Sequence, residues 1–283
     1  MPKRTVIHVF PAERDDIADL TTYRALPTRH VDTLDPFLFL NHHGHQVYPP
    51  RNRGLPFGPH PHRGFETVTF ILEGDIAHRD SGGHENTIGA QGIQWMTAGS
   101  GLVHSETSSA GFKQHGGPLE ILQLWLNLPS RLKMTKPDYV GLQADQIPVF
   151  EEDEGRVRVH LTSGEWHGHH GPVTPLRDTA VMTVDIRAGG NFTAEIAATR
   201  TIFFYVVRGA VTVNGREVKM RHLAQFDHAG ITLEVQASAD ALLLLCHAEP
   251  IGEPVVSHGP FVMNTRAEIE TAIRDYQAGK FGV

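Results

Sequence analysis

The stretch Gly58-Pro-His-Pro-His-Arg-Gly-Phe-Glu-Thr-Val-Thr-Phe-Ile-Leu-Glu-Gly74 decides the fold. Its second half is an apolar run of β-type residues that closes on a charge and a glycine. Its first half sets His60 and His62 two positions apart, at the entry to that run. On an extended chain, residues i and i+2 point to one face, roughly 7 Å apart. Pro61 fixes its own φ and biases His60 toward extended geometry. Two imidazoles on one face of a strand entry can converge on a single ion, and neutral imidazole suits iron, copper, zinc or nickel.

Runs of the same type recur along the chain, at 5–10, 37–41, 66–72, 92–97, 119–127, 157–162, 180–186, 201–207, 210–213, 232–235 and 241–247. Glycine-rich turn signals separate them. Asn214-Gly215 between Val211-Thr-Val213 and Arg216-Glu-Val218 predicts a two-residue hairpin. Helical patterning is scarce. The clear case is Thr265-Arg-Ala-Glu268, which reads as a capping box ahead of Ile269, Ala272, Ile273 and Tyr276, with Gly279 as the stop. The chain reads as all-β with one C-terminal helix.

With 283 residues it has room for two domains of about 140 residues each. Apolar residues make up 40%, enough for ordinary cores, and the 28 glycines and 18 prolines suit many short strands joined by turns. A net charge of −7 argues against a nucleic-acid surface held by bulk charge. The single cysteine, Cys246, has no intramolecular partner and sits in an apolar run, which predicts a buried thiol and a reducing compartment. No apolar run reaches the ~18 residues of a membrane span. The N-terminus lacks the apolar core of a secretory signal, so the expected location is cytoplasmic.

A weak internal repeat supports two copies of a small β-barrel. Phe65–Gly74 resembles Arg200–Gly209, and Gln94-Trp95 echoes Gln225-Phe226. The expected division is 1–140 and 141–283, within the polar stretch 138–154, with strands free to cross over between the halves. Aligning Gly74 with Gly209 sets Glu195 against His60 and Ala197 against His62. The Gln-aromatic match sets Val235 against His104 and Ala237 against Glu106. The polar set is confined to the N-terminal half, which favours function over a general demand of the barrel.

His104-Ser-Glu106 is a second i, i+2 pair. A lone His-x-His recurs incidentally; two such pairs, each behind a glycine-containing turn and each on or beside a strand, point to a metal site. Three imidazoles and one carboxylate would then come from two strands able to lie side by side.

These residues also carry a resemblance. Gly54-x5-His60-x-His62-x3-Glu66 resembles the first signature of the cupin superfamily, and Gly92 through Gly101-Leu-Val-His104 resembles the second, with Ala98 where cupins usually have proline. His60-Pro-His-Arg-Gly-Phe-Glu-Thr-Val68, His78-Arg-Asp-Ser81, Gln94-Trp-Met-Thr-Ala-Gly99, Val103-His-Ser-Glu106, Gln123-Leu-Trp-Leu-Asn-Leu-Pro129 and Gly259-Pro-Phe-Val-Met-Asn-Thr265 are similar, in order, to the pirin family. The resemblance covers the chain from about residue 36 onward. It implies a bicupin: two antiparallel jelly-roll barrels, an N-terminal metal-binding cupin (1–140), and a C-terminal cupin without ligands that carries the helix (141–283). Cupins in general take their carboxylate ligand from the first signature, Glu66 here. Pirins imply Glu106 instead, with Glu66 as a supporting group or salt-bridge partner. The implied ligands are His60, His62, His104 and Glu106, around one divalent transition metal, Fe(2+).

Other histidines read as incidental. His167, His169 and His170 fall in a glycine-rich loop and read as solvated. His42, His43 and His45 read as a pocket rim and His78 and His84 as hairpin residues; Arg63 reads as a surface charge, the alternative being that it holds a carboxylate near the site. Trp95, Met96 and Phe70 read as core or pocket wall.

Three histidines and one carboxylate leave positions free on an octahedral ion, the mark of a catalytic or sensing metal. Bacterial-type pirins imply an oxidoreductase activity, quercetin 2,3-dioxygenase: a flavonol and O2 as substrates, ring cleavage, and release of carbon monoxide. Glu106 is the implied catalytic group, accepting the 3-hydroxyl proton. Other pirins imply an iron-dependent redox sensor that binds a regulatory protein without catalysis. A metal-bound isomerase or storage cupin is a third reading. The dioxygenase needs only a metal, open positions and a pocket, with neither membrane nor nucleic acid as partner.

Overall fold

The structure, a computed structural model, describes residues 2–282. The chain forms two compact units. One comprises Met1–Glu13, Arg24–Pro36 and Gln146–Pro250; the other comprises Arg14–Tyr23, Phe37–Asp145 and Ile251–Val283. Each contains a long antiparallel sheet and a four-stranded antiparallel sheet. This is the all-β, two-jelly-roll bicupin architecture expected, with a C-terminal helix. The units are not two contiguous halves: residues 1–13 and 24–36 group with 146–250, and 251–283 group with 14–23 and 37–145. The N-terminal strand Val6–Pro11 pairs with His222–Phe226, and the C-terminal helix Arg266–Gln277 belongs with the earlier residues. Ladder hydrogen bonds and apolar burial are indifferent to sequence distance, so a strand joins whichever edge accepts it.

In the histidine-bearing unit, Asp138–Leu142, Ile93–Thr97, Phe65–Glu73, Gly117–Asn127 and Phe37–Tyr48 lie side by side in one sheet. The second sheet runs Phe57–His62, Leu102–Thr107, Asp75–Asp80, Glu85–Gly89. Period-2 alternation is legible in Gly117–Asn127. Leu122, Leu124 and Leu126 are buried, while Gln123 and Trp125 between them are partly exposed. Two strands exceed their sequence limits. Phe37–Tyr48 continues through His42, His43 and His45, and Asp138–Leu142, expected as a polar boundary, is a strand paired with Ile93–Thr97.

The other unit has the same plan with an apolar filling. Phe192, Val235, Leu233, Ala237, Phe204 and Phe226 belong to one buried cluster. Here Asn191–Glu195 pairs with Thr232–Gln236, and Phe192, not Glu195, stands opposite Val235. The repeat therefore holds at the level of strands, while its residue alignment slips where the loops differ in length. The Asn214-Gly215 hairpin forms as expected: φ is 47° and 82° at its two central residues, the left-handed pair a type I′ turn requires. Thr265 and Glu268 make a reciprocal capping box.

Lys133 is buried beside the end of the histidine strand. Its ammonium donates to Gly64 O (2.8 Å), Asn127 Oδ1 (2.7 Å) and Val262 O (3.0 Å). Burial pushes it down to about 8, so it remains charged at neutral pH. Lys133→Met would leave those three acceptors without a donor. The expected loss is about 3 kcal/mol, read as a lower midpoint of chemical denaturation; a loss under about 0.5 kcal/mol would mean that water takes over the three bonds.

Candidate metal centre

The strand Leu102–Thr107 lies between two antiparallel neighbours and brings the site together. His104 stands directly opposite His60 on one side and Asp80 on the other, and Glu106 stands opposite His78. The rings of His60 and His104 are 4.4 Å apart, those of His60 and His62 4.8 Å, and those of His62 and His104 5.0 Å. One ring nitrogen from each of His60, His62 and His104 lies within 4.8 Å of the others, and among the described residues no other group of three metal-ligating side chains is as close.

Hydrogen bonds set the tautomers. A carbonyl can only accept, so the Nδ1 of His60 donates to Gly58 O (2.7 Å) and that of His62 donates to Pro260 O (3.3 Å). Nε2 of each ring is left as a bare lone pair, the arrangement that outer-shell carbonyls impose on metal-binding histidines. His104 is buried, and neither of its ring nitrogens has a hydrogen-bond partner. Two orphaned polar atoms in a dry site are costly unless a ligand accepts them. The donor set thus fits a divalent transition metal. Burial holds all three imidazoles below their ordinary range, His62 down to about 3, and the neighbouring rings push His62 and His104 the same way. They are neutral at physiological pH, the form that ligates.

Glu106 stands apart from the cluster. Its Oε1 accepts from Gln94 Nε2 and from Thr69 Oγ1 (3.3 Å); its Oε2 accepts from Gln123 Nε2 (2.6 Å). Burial pushes its carboxyl up to about 7, against the pull of these donors. Tyr139 donates to Gln94 Oε1 (3.3 Å) and stacks on His78 at 4.1 Å. His78 in turn bonds Asp80 (3.0 Å), which also takes the Nδ1 of half-buried His84.

Glu66 is buried and accepts from Thr97 Oγ1 (2.7 Å), outside the histidine cluster. On one unbroken strand Glu66 would share a face with His60 and His62, but the chain breaks step at Gly64. That residue has φ of 91°, and a Cβ there would lie 2.0 Å from Val262 O. Arg63 is not a surface charge: it is buried, pairs with Asp275 (2.9 Å), donates to Ser100 O and covers the Phe281 ring. His42, His43 and His45 do not form a rim. His42 is buried against Glu120, His43 bonds Thr22, and His45 bonds Glu73. His167, His169 and His170 are exposed, with His167 bonded to Glu152.

Reading the sequence did not single out Gln94, Gln123, Thr69 or Tyr139. A signal exists for the glutamines: each is a lone amide within an apolar strand, where a polar side chain needs a buried partner. None exists for the Pro260 carbonyl, which reaches His62 from almost two hundred residues away.

Residues 19–126 match the family described as Pirin, and residues 181–282 the Pirin C-terminal cupin domain. The chain belongs to the pirin family. A pirin-like protein of Caulobacter vibrioides is 40% identical over 284 residues, covering 99% of this chain and 100% of that one. Pirin-1 of Arabidopsis thaliana is 38% identical over 88% of this chain and 84% of its own. A crystal structure of a quercetin 2,3-dioxygenase from Acinetobacter baumannii superposes with a TM-score of 0.92 at 35% identity, covering 99% of each chain.

His62→Ala should keep its thermal unfolding profile and lose at least about nine-tenths of the metal bound after iron supplementation, by elemental analysis. Unchanged metal content would move the site elsewhere, with the 167–170 hairpin next to be tested.

Proposed function

We propose that the chain is a metal-dependent dioxygenase that opens the heterocyclic ring of a flavonol such as quercetin, consuming O2 and releasing carbon monoxide. The observation that carries this reading is the convergence of three neutral imidazoles, two of them buried and one half-buried, on the same strand that carries a buried carboxyl two residues beyond His104. The 35% identity to a solved quercetin 2,3-dioxygenase supports the substrate class.

His60, His62, His104 and Glu106 would hold one divalent transition metal, Fe(2+) in this reading. When bound, it supplies Lewis acidity and open coordination positions. The remaining work falls to the protein. Oε1 of Glu106 is taken by Gln94 and Thr69, whereas Oε2 meets only Gln123. Oε2 therefore keeps a lone pair for the flavonol 3-hydroxyl proton. A carboxylate shared between ligation and proton transfer loses basicity; the desolvation of Glu106 works in the opposite direction. Tyr139 holds the Gln94 amide so that its nitrogen faces Glu106. The apolar rings of Phe39, Phe65 and Trp125 pack beside His62 and would shield a bound flavonol ring from water.

Ligation by Glu106 has a pH signature. In the metal-free protein its proton leaves near pH 7, while the histidines are already neutral. A cation that takes the carboxylate must expel that proton, so affinity should fall about tenfold per pH unit as pH drops below about 7. Glu106→Gln has no such proton, and its weaker affinity should stay flat between pH 7 and 6. Equal slopes in the two proteins, by competition titration, would remove Glu106 from the ligand set.

The activity itself is tested by incubating iron-loaded protein with quercetin in air. Loss of the flavonol absorbance with stoichiometric carbon monoxide is expected. Intact quercetin over a fully loaded site would overturn the enzyme and leave the redox-sensing reading.

A further inference from the structure

Among the buried polar atoms of the sheet over the histidines that lack a hydrogen-bond partner are two beside the ring cluster, Asn41 Oδ1 and Trp125 Nε1, that the proposed chemistry does not use. Gln123 faces the barrel interior, since its amide bonds Glu106. Residues directly opposite each other on neighbouring strands share a face. Asn41 is opposite Gln123, and Phe39 is opposite Trp125, so these four side chains line one inner wall. Trp125 confirms the direction: its ring meets His62 at 5.4 Å and stacks on Phe39 at 4.5 Å.

That wall is open. Phe39, Gln123 and Trp125 are partly exposed in mid-strand, although the alternate residues Leu40, Leu122 and Leu124 are fully buried. Water or a ligand therefore reaches the inner face between the two sheets. Asn41, at 3% exposure, lies deeper on it. Its amide oxygen is buried and accepts no hydrogen bond, and the indole Nε1 of Trp125 is buried and donates none. One orphaned acceptor and one orphaned donor, on the same wall as an aromatic pair and beside a candidate metal ligand, form a binding surface with stated demands: a flat ring to stack, a hydroxyl hydrogen for Asn41 and an oxygen for Trp125.

We propose that Asn41 and Trp125 determine substrate specificity by reading ring hydroxyls of a polyhydroxylated aromatic, at positions other than the hydroxyl that meets the histidine cluster. Asn41 Oδ1 accepts from one ring hydroxyl, Trp125 Nε1 donates to the oxygen of another, and Phe39 with Trp125 supports the ring plane. The inference rests on the flavonol reading and narrows it: a flavonol bare of further hydroxyls leaves both polar atoms unpaired in a desolvated site, and is rejected on that account.

The test is equilibrium binding by calorimetry to the full chain loaded with ferrous iron, without oxygen, so that no turnover is needed. Quercetin is compared with 3-hydroxyflavone, which keeps only the metal-directed hydroxyl. The wild type should prefer quercetin by about tenfold or more. Asn41→Ala should bring quercetin down to the affinity of 3-hydroxyflavone while leaving 3-hydroxyflavone within about twofold of its wild-type value. Trp125→Phe keeps the ring and removes the N–H; it should cut the preference by about threefold, and carries the test if Asn41→Ala fails to fold. A preference unchanged in both variants, or an equal loss for both flavonols, would overturn the assignment and make these residues structural. Failure of the wild type to bind either flavonol would overturn the flavonol reading itself, and this inference with it.

Discussion

The site depends on the register of one strand. Leu102–Thr107 is hydrogen-bonded on both sides, to Phe57–His62 and to Asp75–Asp80. That ladder, not any attraction among the rings, brings His104 against His60. Three imidazoles packed this closely, two of them buried, repel one another once protonated and lose hydration besides, so the backbone must hold them together against their own electrostatics. A slip of one residue would turn His104 to the opposite face and end the convergence. Burial then acts twice, with opposite results. It removes protons from the histidines, leaving lone pairs ready at neutral pH, and retains one on Glu106 until about pH 7. One dry environment yields both a proton-free ligand set and a proton acceptor near the working pH.

The C-terminal half shows that the fold does not require this arrangement. It repeats the sheets and replaces the polar interior with Phe192, Leu233 and Val235, each almost fully buried. The two interiors represent two solutions to filling a jelly roll. One is close-packed and apolar. The other leaves polar groups that need a guest, a cost to stability that function can explain.

The strands, the hairpin at Asn214-Gly215, the capping box at Thr265 and the histidine triad were legible in sequence because each rests on local rules: period 2, turn chemistry, cap geometry and i, i+2 spacing. What was not legible is long-range. The crossing of the chain ends between units depends on which sheet edge is free. The parity linking Glu66 to His62 was lost at a single glycine, Gly64, whose positive φ resets the face. Arg63 looked like a surface charge because its partner, Asp275, lies in the C-terminal helix. The glutamines that hold Glu106 sat in quoted motifs without a role, since a motif does not say which way a side chain points.

The last strand and helix of the chain are part of the site's support rather than an appendage to it. Pro260 offers its carbonyl to His62 Nδ1 and to Arg63 N, Val262 N donates to Arg63 O, Val262 O accepts from Lys133, and Asp275 takes the Arg63 guanidinium. His62 and Arg63 are thus bound to the C-terminal segment directly, and Gly64 is joined to it through Lys133, which donates to both Gly64 O and Val262 O. An imidazole can rotate about two bonds, and a metal site tolerates little of that freedom. Fixing the backbone on which His62 sits, and its Nδ1–H besides, removes most of it. The Cβ clash at Gly64 shows how closely the two segments approach there. Glycine is required at that point for contact as much as for conformation, and it lets the end of the chain set the angle of a ligand near its beginning.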